Sequence, residues 1–179
     1  MDQPAILVLT TGGTIDKNYF DALSEYQIVD SGIPALLTQA RVALAFRIEE
    51  VCRKDSLELT EADRAEIARR VAAAPETRIV ITHGTDTMTD TATALAGIAG
   101  KTVVLTGALS PARFAETDAP FNLGMAFAAA QVAAPGVYIA MSGQVFDGLR
   151  VRKDREAGRF VADPTPLTEQ PVGSACKRH

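Results

Sequence analysis

The chain has 179 residues, 47% of them hydrophobic and 22% charged, which is long enough for one domain with a packed core and too apolar for a disordered chain. Its formal net charge of −4 gives no pull toward nucleic acid or an anionic lipid surface, so polyanionic partners are disfavoured. Cys52 and Cys176 form no paired motif, so neither a zinc site nor a disulfide framework is expected.

Residues 5–9 form a short apolar run and read as a first buried strand. No basic segment precedes it, the run is too short for a secretion signal, and no stretch reaches ~18 apolar residues, so the expected location is cytoplasmic. Residues 10–31 are polar and aperiodic and read as one long loop, the kind of segment that serves as a functional lid in a compact domain. A weaker helical pattern covers 34–44. Residues 46–51 mix Phe46, Ile48 and Val51 with Arg47, Glu49 and Glu50, as in a strand near a sheet edge with one exposed face. Thr60 opens the clearest helix, with Glu61 and Asp63 in its first turn, Ile67, Ala68, Val71 and Ala72 on one stripe, and Pro75 as its stop.

Residues 78–82, 102–105 and 137–141 are three further apolar strands. Between them lie a helix from about Asp86 to Gly100 and another over 120–133. That last helix is apolar almost all round, which implies burial on several sides and an oligomer interface. The alternation of strand and helix predicts an α/β fold, a mostly parallel sheet with helices on both faces in three Rossmann-like layers. One domain over 1–161 and a proline-containing polar tail over 162–179 complete the expected organisation.

In such a sheet, ligands bind outside the carboxyl ends of the strands. The residues falling there are Thr10-Thr11-Gly12-Gly13-Thr14-Ile15-Asp16, Thr82-His83-Gly84-Thr85-Asp86-Thr87, Thr106-Gly107-Ala108 and Ser142-Gly143. Glycines let a ligand approach the backbone, and free N–H groups can bind a carboxylate or an oxyanion. Neither GxGxxG nor GxxxxGK[ST] occurs, so a nucleotide site is a poor reading. Taken singly, each stretch is equally consistent with ordinary turn chemistry.

Together, Thr11-Gly12-Gly13-Thr14-Ile15 and His83-Gly84-Thr85-Asp86-Thr87-Met88 resemble the two signatures of the L-asparaginase family. The resemblance extends through Asp55-Ser56-Leu57-Glu58-Leu59-Thr60, Gly107-Ala108-Leu109-Ser110-Pro111, Ala119-Pro120-Phe121-Asn122-Leu123 and Phe146-Asp147-Gly148-Leu149-Arg150-Val151-Arg152-Lys153, covering 5 to about 161. It implies the fold of that family's amino-terminal domain and hydrolysis of L-asparagine to L-aspartate and ammonia, without metal or organic cofactor. It further implies Thr14 as nucleophile, Tyr26 as its hydroxyl partner with Tyr19 as the competing candidate, and Thr85, Asp86 and Lys153 as a second catalytic group. Ser56 would hold the substrate's α-carboxylate, Asp86 its α-ammonium and the backbone of Ala108 its side-chain amide. The N–H groups of Gly13 and Thr85, the latter beside Gly84, would face the oxyanion. His83 reads as a structural residue, since a single His beside a strand is more often packed than catalytic.

The resemblance also sets limits. Familiar members carry a second domain that completes the site of a neighbouring subunit, and no residue here matches those contacts. Leu57 stands where secreted relatives have a substrate-binding glutamine, so little glutamine hydrolysis is expected. A homo-oligomer, dimer or tetramer, is the expected assembly. Two other functions stay open: an ammonia-releasing amidotransferase subunit, and a non-catalytic amino-acid-binding module.

Overall fold

The computed structural model describes residues 5–20 and 25–163, apart from the side chains of Tyr19, Phe20 and Glu25. Five parallel strands build the main sheet: β1 (Ile6–Gly12), β4 (Phe46–Lys54), β5 (Arg78–Thr82), β6 (Thr102–Thr106) and β7 (Gly136–Met141). β8 (Gln144–Asp147) adds an antiparallel edge, giving the order β4-β1-β5-β6-β7-β8. The four apolar runs are the central strands, and the mixed run at 46–51 is the edge that its charges predict.

Alternation along these strands separates two cores. Leu7, Leu9, Ile79, Ile81, Val103 and Leu105 point to one face, where α2 (Glu61–Ala73) lays down Ile67 and Val71 and α3 (Met88–Ala94) lays down Met88 and Ala92. Ile6, Val8, Val80 and Val104 point to the other, covered by Ile33 and Leu37 of α1 (Ile33–Gln39) and by Leu123, Ala126 and Phe127 of α4 (Ala119–Val132). α2 starts as its sequence dictates: Thr60 accepts the Asp63 N–H while the Asp63 carboxylate accepts the Thr60 N–H.

Several boundaries differ from expectation. The segment at 10–31 is not one loop: β1 continues to Gly12, a 3₁₀ turn spans Thr14–Asp16, and β2 (Lys17–Phe20) pairs antiparallel with β3 (Glu25–Ile28). α1 and α3 are both shorter than their patterns: the chain leaves α1 at Arg41, whose φ is +52°, and leaves α3 in a turn over 95–97 that contains Gly97. A second hairpin, β9 (Val151–Asp154) with β10 (Arg159–Ala162), occupies a stretch where no strand is expected and ends at the first residue of the expected tail. The remainder of the expected tail, 164–179, lies outside the described residues. α4 is also less enclosed than its composition implies, with Phe121 64% and Val132 85% exposed. No helix among the described residues is long and apolar enough to cross a membrane.

Candidate active site

The ends of β1 and β5 meet through glycine. Gly12 and Gly13 have φ of +97° and +82°, which only glycine adopts without strain. A Cβ on Gly13 would lie 2.4 Å from the Gly84 nitrogen, and one on Gly84 would lie 2.6 Å from both Cβ and Oγ of Ser56. The stretches around Thr14 and Thr85 therefore touch through their main chains, and the Gly84 main chain packs on the Ser56 side chain. Two rim threonines serve the sheet instead: Thr11 Oγ1 donates to the Thr82 carbonyl at 2.9 Å and Thr106 Oγ1 to that of Ala140 at 2.8 Å.

Thr85 follows Gly84 and is buried, with its hydroxyl 2.7 Å from Lys153 Nζ. The same Nζ donates to Asp86 Oδ1 at 2.7 Å. The β9–β10 hairpin is what brings Lys153 across 68 residues of chain to this pair. A short Oγ–Nζ–Oδ1 line of this kind can carry a proton from a hydroxyl to an amine held in place by a carboxylate. Lys153, Asp86, Leu57 and Leu109 border a hollow of about 300 Å³.

Thr14 borders an adjoining hollow of about 330 Å³, together with Lys17, Tyr26, Phe114 and Leu109. Leu109 is common to both hollows. Tyr26 sits on β3 directly opposite Tyr19 of β2, and its ring centroid is 6.2 Å from that of Phe114. The side chain of Tyr19 lies outside the described residues. Hairpin β2–β3 is tied down at its base, where the buried Asp16 carboxylate accepts the Ser31 hydroxyl at 2.9 Å and the Gly32 N–H at 3.0 Å. Lys17 ties it a second time through Asp55 at 2.5 Å, beside Ser56. Burial raises the Asp16 carboxyl above its ordinary value, opposed by these two hydrogen bonds.

The expected oxyanion donors fare differently. The Gly13 N–H donates to the Lys54 carbonyl at 3.0 Å, so it is engaged within the fold rather than turned to a ligand. The Thr85 N–H has no acceptor among the described residues. Ala108 is buried at the end of β6, and the loop after it is held by Asp118, whose carboxylate accepts the N–H groups of Leu109 and Ser110, each at 3.0 Å. Asn122, fully buried in α4, binds Asp118, the Gly107 carbonyl and the Ser142 N–H. Sequence reasoning missed Asp118, Asn122, Lys17 and Asp55. An Asp just before a helix and an Asn inside an otherwise apolar one were the available signals for the first two. Ser142 and Gly143 form the β7–β8 turn with φ of +51° and +83°.

His83 is fully buried beside this centre, and burial pulls its pKa down to about 4 from 6.5. The unfolded chain binds a proton below pH 6.5 that the folded one refuses until about pH 4, so stability falls as pH drops through that window. One pKa unit is about 1.4 kcal/mol, which makes the expected loss roughly 3 kcal/mol by pH 4. Urea unfolding at pH 7 and pH 4 should show the wild type losing that much more than His83→Leu. An equal loss in both proteins would place the acid sensitivity elsewhere.

Residues 5–161 match the asparaginase N-terminal domain family. Over 165 residues the chain is 35% identical to the L-asparaginase of Thermococcus kodakarensis, covering 86% of this chain and 48% of that protein. It is 32% identical over 168 residues to a glutamyl-tRNA(Gln) amidotransferase subunit of Methanococcus vannielii, covering 83% of this chain and 38% of that one. The solved structure of L-asparaginase I from Vibrio cholerae superposes with a TM-score of 0.81 at 28% identity, covering 92% of this chain and 52% of the other. The chain spans about half the length of the curated asparaginases it matches. With residues 5–161 matched and the sheet shared with that solved structure, this chain belongs to the asparaginase N-terminal domain family.

Proposed function

We propose that this chain hydrolyses the side-chain amide of L-asparagine, releasing L-aspartate and ammonia, with Thr14 as the nucleophile. The observation that carries this reading is the Thr85–Lys153–Asp86 cluster, 2.7 Å at each step, beside the Gly13–Gly84 contact that brings the Thr14 turn to it. Thr14 Oγ forms a bond to the amide carbon while Tyr26 takes up and relays the hydroxyl proton. The C–N bond then breaks, and the departing nitrogen gains that proton as ammonia. Water, giving its proton along the Thr85–Lys153 line, adds to the resulting ester. The Thr14 O–C bond breaks, a proton returns to Thr14, and aspartate is free. The Thr85 N–H stabilises the oxyanion in both steps.

Ser56 and Asp86 hold the amino-acid end, with Asp86 Oδ2 facing the ammonium while Oδ1 keeps Lys153, and the Ala108 main chain holds the amide. Leu57, 69% exposed at the rim, offers no polar contact to a longer substrate. Glutamine turnover should therefore be weak. The test is ammonia release by the purified chain from asparagine and from glutamine, with Thr85→Val as control. Release only after addition of a partner protein would favour an amidotransferase role, a reading to which the Methanococcus match lends support. Binding of aspartate without release of ammonia would favour a non-catalytic module.

Assembly is part of the same proposal. Phe121, Gly124, Ala128 and Val132 are exposed at helical spacing along α4, an apolar stripe suited to a second copy of the chain. Sedimentation should report a dimer or tetramer for the wild type and a monomer for Phe121→Lys. A monomeric wild type would remove the interface.

A further inference from the structure

We infer that His83, which the proposed chemistry does not use, is a positioning residue that sets the direction of the Thr85 N–H. The inference rests on the reading of that N–H as the oxyanion donor. His83 Nδ1 lies 2.7 Å from the Gly84 carbonyl oxygen. A carbonyl only accepts, so Nδ1 carries the proton and the Nε2 lone pair faces the Thr91 hydroxyl, 2.8 Å away, which donates to it. The carbonyl thus selects the tautomer, and the Thr91 hydroxyl, able to donate or accept, completes it and holds the ring.

The consequence lies in the peptide that follows. No peptide among the described residues is cis, and in a trans peptide C=O and N–H point in opposite directions. Holding the Gly84 carbonyl toward the imidazole therefore turns the Thr85 N–H to the opposite side of that peptide, where it has no acceptor among the described residues. The imidazole itself has no freedom to follow a rotating peptide. The His83 N–H donates to the Thr106 carbonyl at 2.9 Å, and a Cβ on Gly107 would fall 2.4 Å from the His83 oxygen, so the main chain is gripped on both sides. With the other tautomer, a lone pair would face the carbonyl oxygen, and the 84–85 peptide would rotate away with its N–H. Such a group changes the barrier rather than substrate binding, because an oxyanion exists only in the reacting complex.

The test compares His83→Leu, which removes the donor, with His83→Asn, which presents an amide N–H near the position of Nδ1, and Thr91→Val, which removes the Nε2 partner that holds the ring. His83→Leu should lower kcat by about 10- to 100-fold with KM within about threefold, and His83→Asn should restore most of the rate. Thr91→Val should fall between them. His83→Leu with unchanged kcat, or His83→Asn as slow as His83→Leu, overturns the inference. ¹⁵N NMR of the imidazole in the His179→Ala background, which leaves one histidine, reads the tautomer directly. Protonated Nδ1 and bare Nε2 support the inference, and the reverse overturns it. Should the wild type release no ammonia from any amide, the proposed function fails, whereas the NMR result still decides the role of His83 in orienting this peptide.

Discussion

Thr14→Ala is expected to abolish turnover, lowering kcat by about 10⁴-fold or more while aspartate still binds within about threefold of the wild type. The hydroxyl supplies the oxygen of the ester, and no neighbouring group stands in for it. The fold should not notice the change. Thr14 is partly exposed on a 3₁₀ turn, and its side chain makes no hydrogen bond among the described residues, so the stability change should stay within about 0.5 kcal/mol. Thr85→Val makes the informative contrast. It keeps the shape of the side chain and leaves Lys153 on Asp86, but it removes the oxygen through which the water proton is passed. General-base loss of this type costs about 10²- to 10⁴-fold. The two variants should also separate by step: only Thr85→Val can form the ester, so a burst of ammonia should survive in it and be absent from Thr14→Ala. Steady-state rates and a rapid-quench ammonia assay check both statements. Wild-type turnover by Thr14→Ala would assign the nucleophile elsewhere.

Gly13→Ala is expected to destabilise the protein by about 3 kcal/mol and to cost activity even where it still folds. The new methyl would meet the Gly84 nitrogen at 2.4 Å, and neither backbone can give way. Gly13 is held by Lys54 at 3.0 Å, and His83, just before Gly84, by Thr106 at 2.9 Å. Overpacking contributes about 1–3 kcal/mol, and a φ of +82° adds about 1 kcal/mol for any residue with a Cβ. A displacement of about 1 Å between the Thr14 turn and Thr85 would lower the rate roughly 100-fold. Gly97→Ala is the control. Nothing lies within 4 Å of its added Cβ, so it should be neutral or slightly stabilising. Urea midpoints and ammonia release for the pair give the comparison, and a fully stable, fully active Gly13→Ala would deny that the close approach matters.

The parallel sheet was legible because strands buried on both faces leave continuous apolar runs, as at 78–82 and 102–105. The rim followed from it, since whatever succeeds such a run must lie at its carboxyl end. Hairpin β2–β3 was not legible. A two-stranded hairpin has little stability of its own and no apolar face to set a pattern; here Asp16 and the Lys17–Asp55 pair, distant in sequence from each other's partners, hold it. Lys153 was visible only through family resemblance. Its neighbours Arg150, Arg152 and Arg155 look like surface, and what singles it out is a fold-back of β9 that composition does not encode. In α4 the Ala- and Gly-rich sequence carries no polar stripe to mark its outer side, so the exposure of Phe121 and Val132 emerged only from the packing. Gly13 misled in a different way. Its type fits a site backbone, yet its N–H is taken by Lys54, because the role of an amide depends on the partner the fold supplies.

The most direct measurement is a crystal structure of the chain grown with L-aspartate. One molecule should bind over the Gly13–Gly84 contact, its side-chain carboxylate within hydrogen-bond reach of both Thr14 and Thr85 hydroxyls and its ammonium on Asp86. Aspartate held by only one of the two threonines, or seated away from that rim, would contradict the proposal.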